Sequence, residues 1–266
     1  MCIRDSTYRF QEGSLAGQSF GNLILAALNG VTGSFEEAVA QMSQVLAITG
    51  RILPVTSADV QLEAVFENGA RVVGESKISS FKKEQDCRIA HVALLPERPA
   101  ALPAALQAIR EADLILMGPG SLYTSVIPNL LVEGVVEAIC RSEALKIYVC
   151  NIMTQEGETE GYTAADHVQA LMEHGAPGMV DLCLANCAPV PENLLGRYEE
   201  EGAVPLVVDR ERIAAMGLEL VERPVASEGG NFARHDPDKL AAAVLDVYRR
   251  RAVRIFRGEQ RYIIEE

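Results

Sequence analysis

Nowhere in its 266 residues does the sequence carry an apolar run approaching the roughly 18 to 20 residues of a membrane span. No basic, apolar, small-residue leader of the secretory kind opens it either. Basic residues are in deficit, 24 Lys and Arg against 37 Asp and Glu, for a net charge of −13 and a pI near 4.9. That balance opposes binding to nucleic acid or anionic lipid through bulk electrostatics, so an anionic ligand must be held by local donors. Metal spacings such as HxH or HExxH are missing, and His167 stands alone in a helical pattern, which reads as structural. The six cysteines follow no repeated spacing. Cys183 and Cys187 read as strand core and turn rather than as a zinc pair, because Leu182 and Leu184 flank the first. Thiols of this kind suit a reducing cytosol, and the expected location is cytoplasmic.

What is present, 48% hydrophobic and 23% charged residues over this length, suffices for one sizeable α/β domain with its own core. The most informative stretch is ADLILMGPGSLYTSVIPNLL, residues 112–131. Its apolar run is too short for a helix and stops at Gly118-Pro119-Gly120, as a buried strand does. A strand ending at a hydroxyl-rich glycine turn leaves backbone N–H groups unpaired at its carboxyl end, where phosphate or carboxylate can bind. A plain turn with hydroxyl caps is the alternative. The turn is neither a P-loop, since no Lys follows the last glycine, nor a dinucleotide fingerprint. Its candidate ligand residues are Gly118, Gly120, Ser121, Tyr123, Thr124, Ser125 and Asn129, with a helix expected within 125–139.

A second stretch, KIYVCNIMTQEGETEGYTAADHV at residues 146–168, repeats the grammar of apolar strand followed by polar loop. Asn151, Thr154 and Gln155 sit where amides and a hydroxyl can read a base, a ribose or a sugar hydroxyl. Glu156 and Glu158 could form a carboxylate pair for acid–base work, but a solvated acidic turn before a helix capped by Thr163 and Asp166 is the preferred reading.

Elsewhere, residues 17–47 show two helical periods separated by Gly30 and Gly33, with a capping box at Ser34 and Glu37. Residues 53–95 alternate around an Asn68-Gly69 hairpin signal, which predicts a small antiparallel insertion with Glu63, Glu67 and Glu75 solvated. An amphipathic helix is expected over 102–112, a strand over 204–209 and a short helix over 212–216. Asp236 and Pro237 open a last helix that buries Leu240, Val244 and Val247. Residues 249–266 form a basic tail, read as a solvated helical end.

The segments GPGSLYTSVIPNLLV and VCNIMTQEGETEGYTAADH resemble signatures of the CofD-like family, which contains bacterial gluconeogenesis factors and 2-phospho-L-lactate transferases; the gluconeogenesis-factor branch is the nearer. The resemblance runs from about residue 8 to about residue 246. It implies a doubly wound, Rossmann-like, mostly parallel α/β sheet and binding of a nucleotide sugar such as UDP-N-acetylglucosamine. It also implies a link to cell shape and cell-wall precursor metabolism, with protein partners in wall synthesis and no reaction firmly attached. By the same resemblance Asn22, in the GNL of residues 21–23, lies at the ligand site, and Arg234 holds the phosphates. Gln18 stands where relatives commonly carry His, so any contact there changes from ionisable donor to amide. The family's first strand, its GGGTG-type turn and an Asp-Gly-Ser loop have no counterpart in this sequence. The expected division is therefore a non-native leader at 1–6, one amino-terminally incomplete domain at 7–248 and the basic tail. The expected function is a regulatory nucleotide-sugar binder; the alternative is a transferase of the phospholactyl type, which alone would call for Mg²⁺. A third reading makes the protein a structural subunit, and a homo-oligomer is compatible with all three.

Overall fold

The computed structural model describes residues 8–46, 49–200, 202–227 and 233–256. The chain forms two compact units, one from residues up to 59 with 100–108 and one from 60–99 with 109 onwards. In the first, helices α1 (Phe20–Thr32) and α2 (Phe35–Val45) follow one another across Gly33, which takes a left-handed φ of 69°. Ser19 and Ser34 cap them, accepting the N–H groups of Asn22 and Glu37. The box at Ser34 is one-sided, because the Glu37 carboxylate accepts from Gln41 Nε2 instead.

The second unit opens with an antiparallel sheet of β1 (Gln61–Phe66), β2 (Arg71–Val73) and β3 (Ile89–Leu95), in the order β2-β1-β3. The expected Asn68-Gly69 turn joins β1 to β2, with Gly69 at φ 82° and Asn68 Oδ1 accepting from Ala70 N. Glu63 is not solvated: it is 9% exposed and pairs with Arg71 at 3.7 Å. Between β2 and β3 lies α3 (Glu75–Gln85), which strand-like alternation up to Ser76 does not anticipate. It forms because Ile78 and Phe81 share a face, Ile78 fully buried and Phe81 against Phe66 with ring centroids 4.6 Å apart.

Helix α4 (Pro103–Glu111) leads to the main sheet of β4 (Leu114–Met117), β5 (Leu145–Val149), β6 (Leu182–Asn186) and β7 (Glu219–Arg223). All four are parallel and lie in chain order. This is the expected α/β class, with a parallel main sheet and a small antiparallel one. Strand β5 is buried along its whole length, which explains its unbroken apolar character. On one face Leu145, Ile147, Val149, Leu182 and Leu184 pack against Ala243, Val244 and Val247 of α10 (Pro237–Phe256). Alternation turns Tyr148 to the other face, where its hydroxyl meets Nδ1 of the fully buried His167 on α7 (Ala164–His174) at 2.9 Å. Burial pushes the His167 pKa down to about 4, so the ring is neutral and structural as expected. Asp236 caps α10 as anticipated, accepting from Asp238 N and Lys239 N.

Two elements differ from expectation. Residues 204–209 form no strand of the sheet: they run beside the loop after β5, joined to it by the isolated bridges Met153↔Pro205 and Thr163↔Val207 and by scattered hydrogen bonds such as Leu206 N to Ile152 O. Pro205 has no N–H to give a ladder, and Val204 and Val207 face solvent at 45% and 61% exposure. The fourth strand of the sheet is β7 instead, which follows the short helix α9 (Arg210–Ala215). The helix expected within 125–139 is broken into a π-helical turn (Leu122–Val126), α5 (Ile127–Leu130) and α6 (Val135–Arg141), with Gly134 at φ 84° before α6.

At the end of β4, Gly118 takes φ 86°, and a Cβ there would lie 2.9 Å from the carbonyl oxygen of Val149. Gly118→Ala is therefore expected to lower stability by about 1–3 kcal/mol. Gly178, at φ 83° with open space around it, is the control. Thermal melts should show a larger drop for Gly118→Ala than for Gly178→Ala; equal drops would mean that the close approach to β5 is immaterial.

Candidate functional site

The loops after β4 and β5 meet at the carboxyl ends of the strands, where open parallel sheets bind ligands. They border a cleft of about 650 Å³ lined by Pro119, Gly120 and Ser121 from the first loop and by residues 151–155 from the second. Tyr198 of α8 (Glu192–Glu200) and residues 233–235 complete it.

Each loop is held by bonds that leave donors at the cleft. Gly118 turns the first loop away from β4, and no acceptor among the described residues takes the N–H of Gly120 or Ser121. The Ser121 hydroxyl donates to Gln155 Oε1 at 2.8 Å, joining one loop to the other. Thr154 is only 3% exposed, and its hydroxyl accepts from Val204 N at 2.9 Å. Asn151 has no side-chain partner among the described residues, so its amide is available.

The strongest tie between the loops comes from a residue read as solvated. Glu158 is fully buried, accepting from Tyr123 N at 3.2 Å and from Thr124 Oγ1 at 2.6 Å. Burial raises its pKa, and these two bonds offset the rise only in part. Glu156 is better described by the solvated reading: its side chain is 37% exposed and pairs with Lys83 of α3 at 2.6 Å. From the same helix the buried Lys82 lies 3.2 Å from Glu160, while Gly157, at φ 80°, packs against Ser79. Helix α3 of the small sheet thus clamps the second loop.

Of the residues anticipated at a ligand site, Gly120, Ser121, Asn151, Thr154, Gln155 and Arg234 line this cleft, with Gly118 shaping the turn beneath it. Tyr123 and Thr124 are directed inward, Thr124 to Glu158 and Tyr123 to the Tyr162 hydroxyl at 2.9 Å. Burial drives the Tyr123 pKa far up, so the phenol stays protonated. Ser125 and Asn129 are exposed and bond to each other, Asn129 Nδ2 to Ser125 O, and neither is among the lining residues. Gln18 and Asn22 belong to the first unit, Asn22 in the first turn of α1 and Gln18 just before its cap.

Sequence reasoning missed Tyr198 and His235. The Tyr198 hydroxyl accepts from Ala233 N at 3.0 Å, and its four-residue spacing from Leu194 was the available signal. His235 follows the anticipated arginine; its ring bonds the Cys150 backbone, Nε2 has no partner, and burial lowers its pKa. Among the described residues of the lining, Arg234 is the cation and none is a carboxylate. Among the described residues no group of three or more His, Cys, Asp or Glu is placed to hold a metal ion, and no helix is long and apolar enough to cross a membrane.

The family described as 2-phospho-L-lactate transferase CofD matches residues 6–226. The chain is 47% identical over 238 residues to a putative gluconeogenesis factor of Thermoanaerobacterium thermosulfurigenes, covering 90% of this chain and 73% of that one. It is 45% identical over 241 residues to the gluconeogenesis factor of Bacillus subtilis, covering 90% and 75%. Among solved structures it is similar to a UPF0052-family protein from Bacillus halodurans, with a TM-score of 0.84, 41% identity and coverage of 91% and 77%.

Because the folded protein binds the Glu158 proton more tightly than the unfolded chain does, this group's stabilisation is complete below the ordinary carboxylate pKa. It is lost as pH rises through the elevated one. In Glu158→Gln the side chain cannot ionise, so melts between about pH 4 and pH 8 should show the wild type losing ground to the variant as pH rises. Parallel curves would refute a raised pKa. Glu158→Ala, which strips both donors of their acceptor, should cost about 1–3 kcal/mol.

Proposed function

The chain belongs to the 2-phospho-L-lactate transferase CofD family, beside relatives named gluconeogenesis factors, and from that membership we propose that it is a regulatory protein that binds a nucleotide sugar of the UDP-N-acetylglucosamine type. The observation that carries this reading is the composition of the cleft. Two unpartnered backbone N–H groups and the Arg234 guanidinium suit a diphosphate, while the Asn151 and Gln155 amides and the Ser121 hydroxyl suit sugar and ribose hydroxyls. Among the described residues the lining holds neither a carboxylate nor a thiol to act as base or nucleophile. In this reading the site holds its ligand and does not turn it over.

Binding regulates only if two conformations, or the free and partner-bound forms, differ in affinity for the ligand. In this reading the level of a wall-precursor nucleotide sugar sets the fraction of protein able to engage partners in wall synthesis, which would link the protein to cell shape. The transferase that gives the family its name is the second reading. It would use Mg²⁺ at the phosphates, and among the described residues the lining offers no carboxylate to hold the ion.

Calorimetry should detect saturable binding of UDP-N-acetylglucosamine. Arg234→Ala should weaken it roughly tenfold to a hundredfold, the 1.5–3 kcal/mol of a charge-assisted hydrogen bond, and Arg234→Lys should restore part of the loss. Absence of saturable binding would sink the proposal. Turnover of an activated phospholactate with a deazaflavin acceptor would move the assignment to the transferase.

A further inference from the structure

Beside the cleft, at the carboxyl end of β6, lies a second cavity of about 400 Å³. The two share Asn151 and Ile152, so they are neighbouring compartments with one wall in common. Their chemistry differs. Pro189 and Pro205 contribute to the second, together with aliphatic side chains such as Val190, Leu195 and Leu206, and among the described residues no charged side chain lines it. Asn186 also lines it, but its amide is used on backbone: Oδ1 accepts from Ala188 N, Val225 N and Ala226 N, and Nδ2 donates to Ala188 O. Among the described lining residues, the Asn151 amide at the boundary and the Cys187 thiol are the polar groups left to meet a ligand there, and of the two only the amide offers a strong donor and acceptor together.

We propose that this recess is the nucleobase subsite, taking the flat, uncharged ring of a nucleotide whose phosphates lie against Arg234 and the N–H groups of Gly120 and Ser121. The proposal rests on the nucleotide-sugar reading of the cleft and adds the direction in which the ligand lies. A phosphate in the recess would lose its hydration against proline and aliphatic walls with no compensating cation. A base loses little there, because its faces are apolar and stack on flat surfaces, and burying them contributes about 25 cal/mol per Å². The edge of the base needs a donor and an acceptor side by side, and a carboxamide such as that of Asn151 presents both. Only one orientation satisfies the charged cleft and the uncharged recess together.

The test compares UDP-N-acetylglucosamine with N-acetylglucosamine 1-phosphate, which keeps the sugar and one phosphate and lacks the uridine, so that the base is isolated by the variants' selective loss rather than by the wild-type preference alone. Both are titrated into the wild type and into Ala188→Phe and Val208→Phe, which put a ring into the recess from half-buried positions on its wall; melts establish that each variant is folded. The wild type should prefer the nucleotide sugar at least tenfold. Each variant should lose at least tenfold in affinity for it while binding the base-free compound within twofold of wild type. Unchanged affinity for the nucleotide sugar in a folded variant, or equal loss for both compounds, overturns the subsite. No binding of the nucleotide sugar by the wild type overturns the reading of the cleft itself. On the unaltered protein, saturation of protein methyl resonances should transfer more strongly to the uracil ring protons than to the acetyl protons; the reverse order refutes the orientation.

Discussion

The buried carboxylate of Glu158 is the constraint on which the cleft depends. It belongs to the loop after β5, yet both of its hydrogen bonds go to the loop after β4, to Tyr123 N and the Thr124 hydroxyl. Two segments more than thirty residues apart in sequence are thereby fixed relative to one another. Each oxygen of Glu158 takes one donor, so a single side chain holds both a backbone N–H and a hydroxyl of the first loop. The cost is a carboxyl group held out of water, visible as its raised pKa.

Around that tie the structure separates rigidity from availability. The polar groups that shape the cleft are bonded to the protein: Thr154 to Val204, Glu158 to the first loop, Tyr198 to Ala233. Others at the cleft, the N–H groups of Gly120 and Ser121 and the Asn151 amide, have no protein partner among the described residues. A site assembled in this way needs little reordering on binding, so less of the interaction energy is lost to entropy.

Much of this was legible in the sequence where local rules agree with the tertiary environment. The apolar run of β5, the Asn68-Gly69 turn, the Ser34 cap and the Asp236-Pro237 start of α10 were all readable. So were the two polar loops, because glycine, hydroxyl and amide side chains after a short apolar run have few other uses at a strand end. Strand β7 was hidden because it lies at the edge of the sheet and carries Glu219, Glu222 and Arg223, whereas residues 204–209 are more apolar and still form no ladder. Glu158 was hidden for a different reason. Between Glu156 and Glu160 it reads as one of three solvated acids, and its burial depends on donors supplied by a distant segment. Lys82 is a similar case: a lysine on a helix reads as surface, and here it is 3% exposed beside Glu160.

The clamp of α3 on the second loop makes that loop unsuitable for grafting. Residues 155–161 hold their shape through Lys82, Lys83 and Ser79, none of which belongs to the main sheet. Moved alone onto another parallel sheet, the motif would leave its counter-charges behind and carry an unpaired Glu158 into a foreign core, where a lone buried carboxylate is strongly unfavourable. The transferable unit is the small sheet, this loop and the loop after β4 that donates to Glu158 taken together, and substitutions in α3 belong among the changes that tune the cleft.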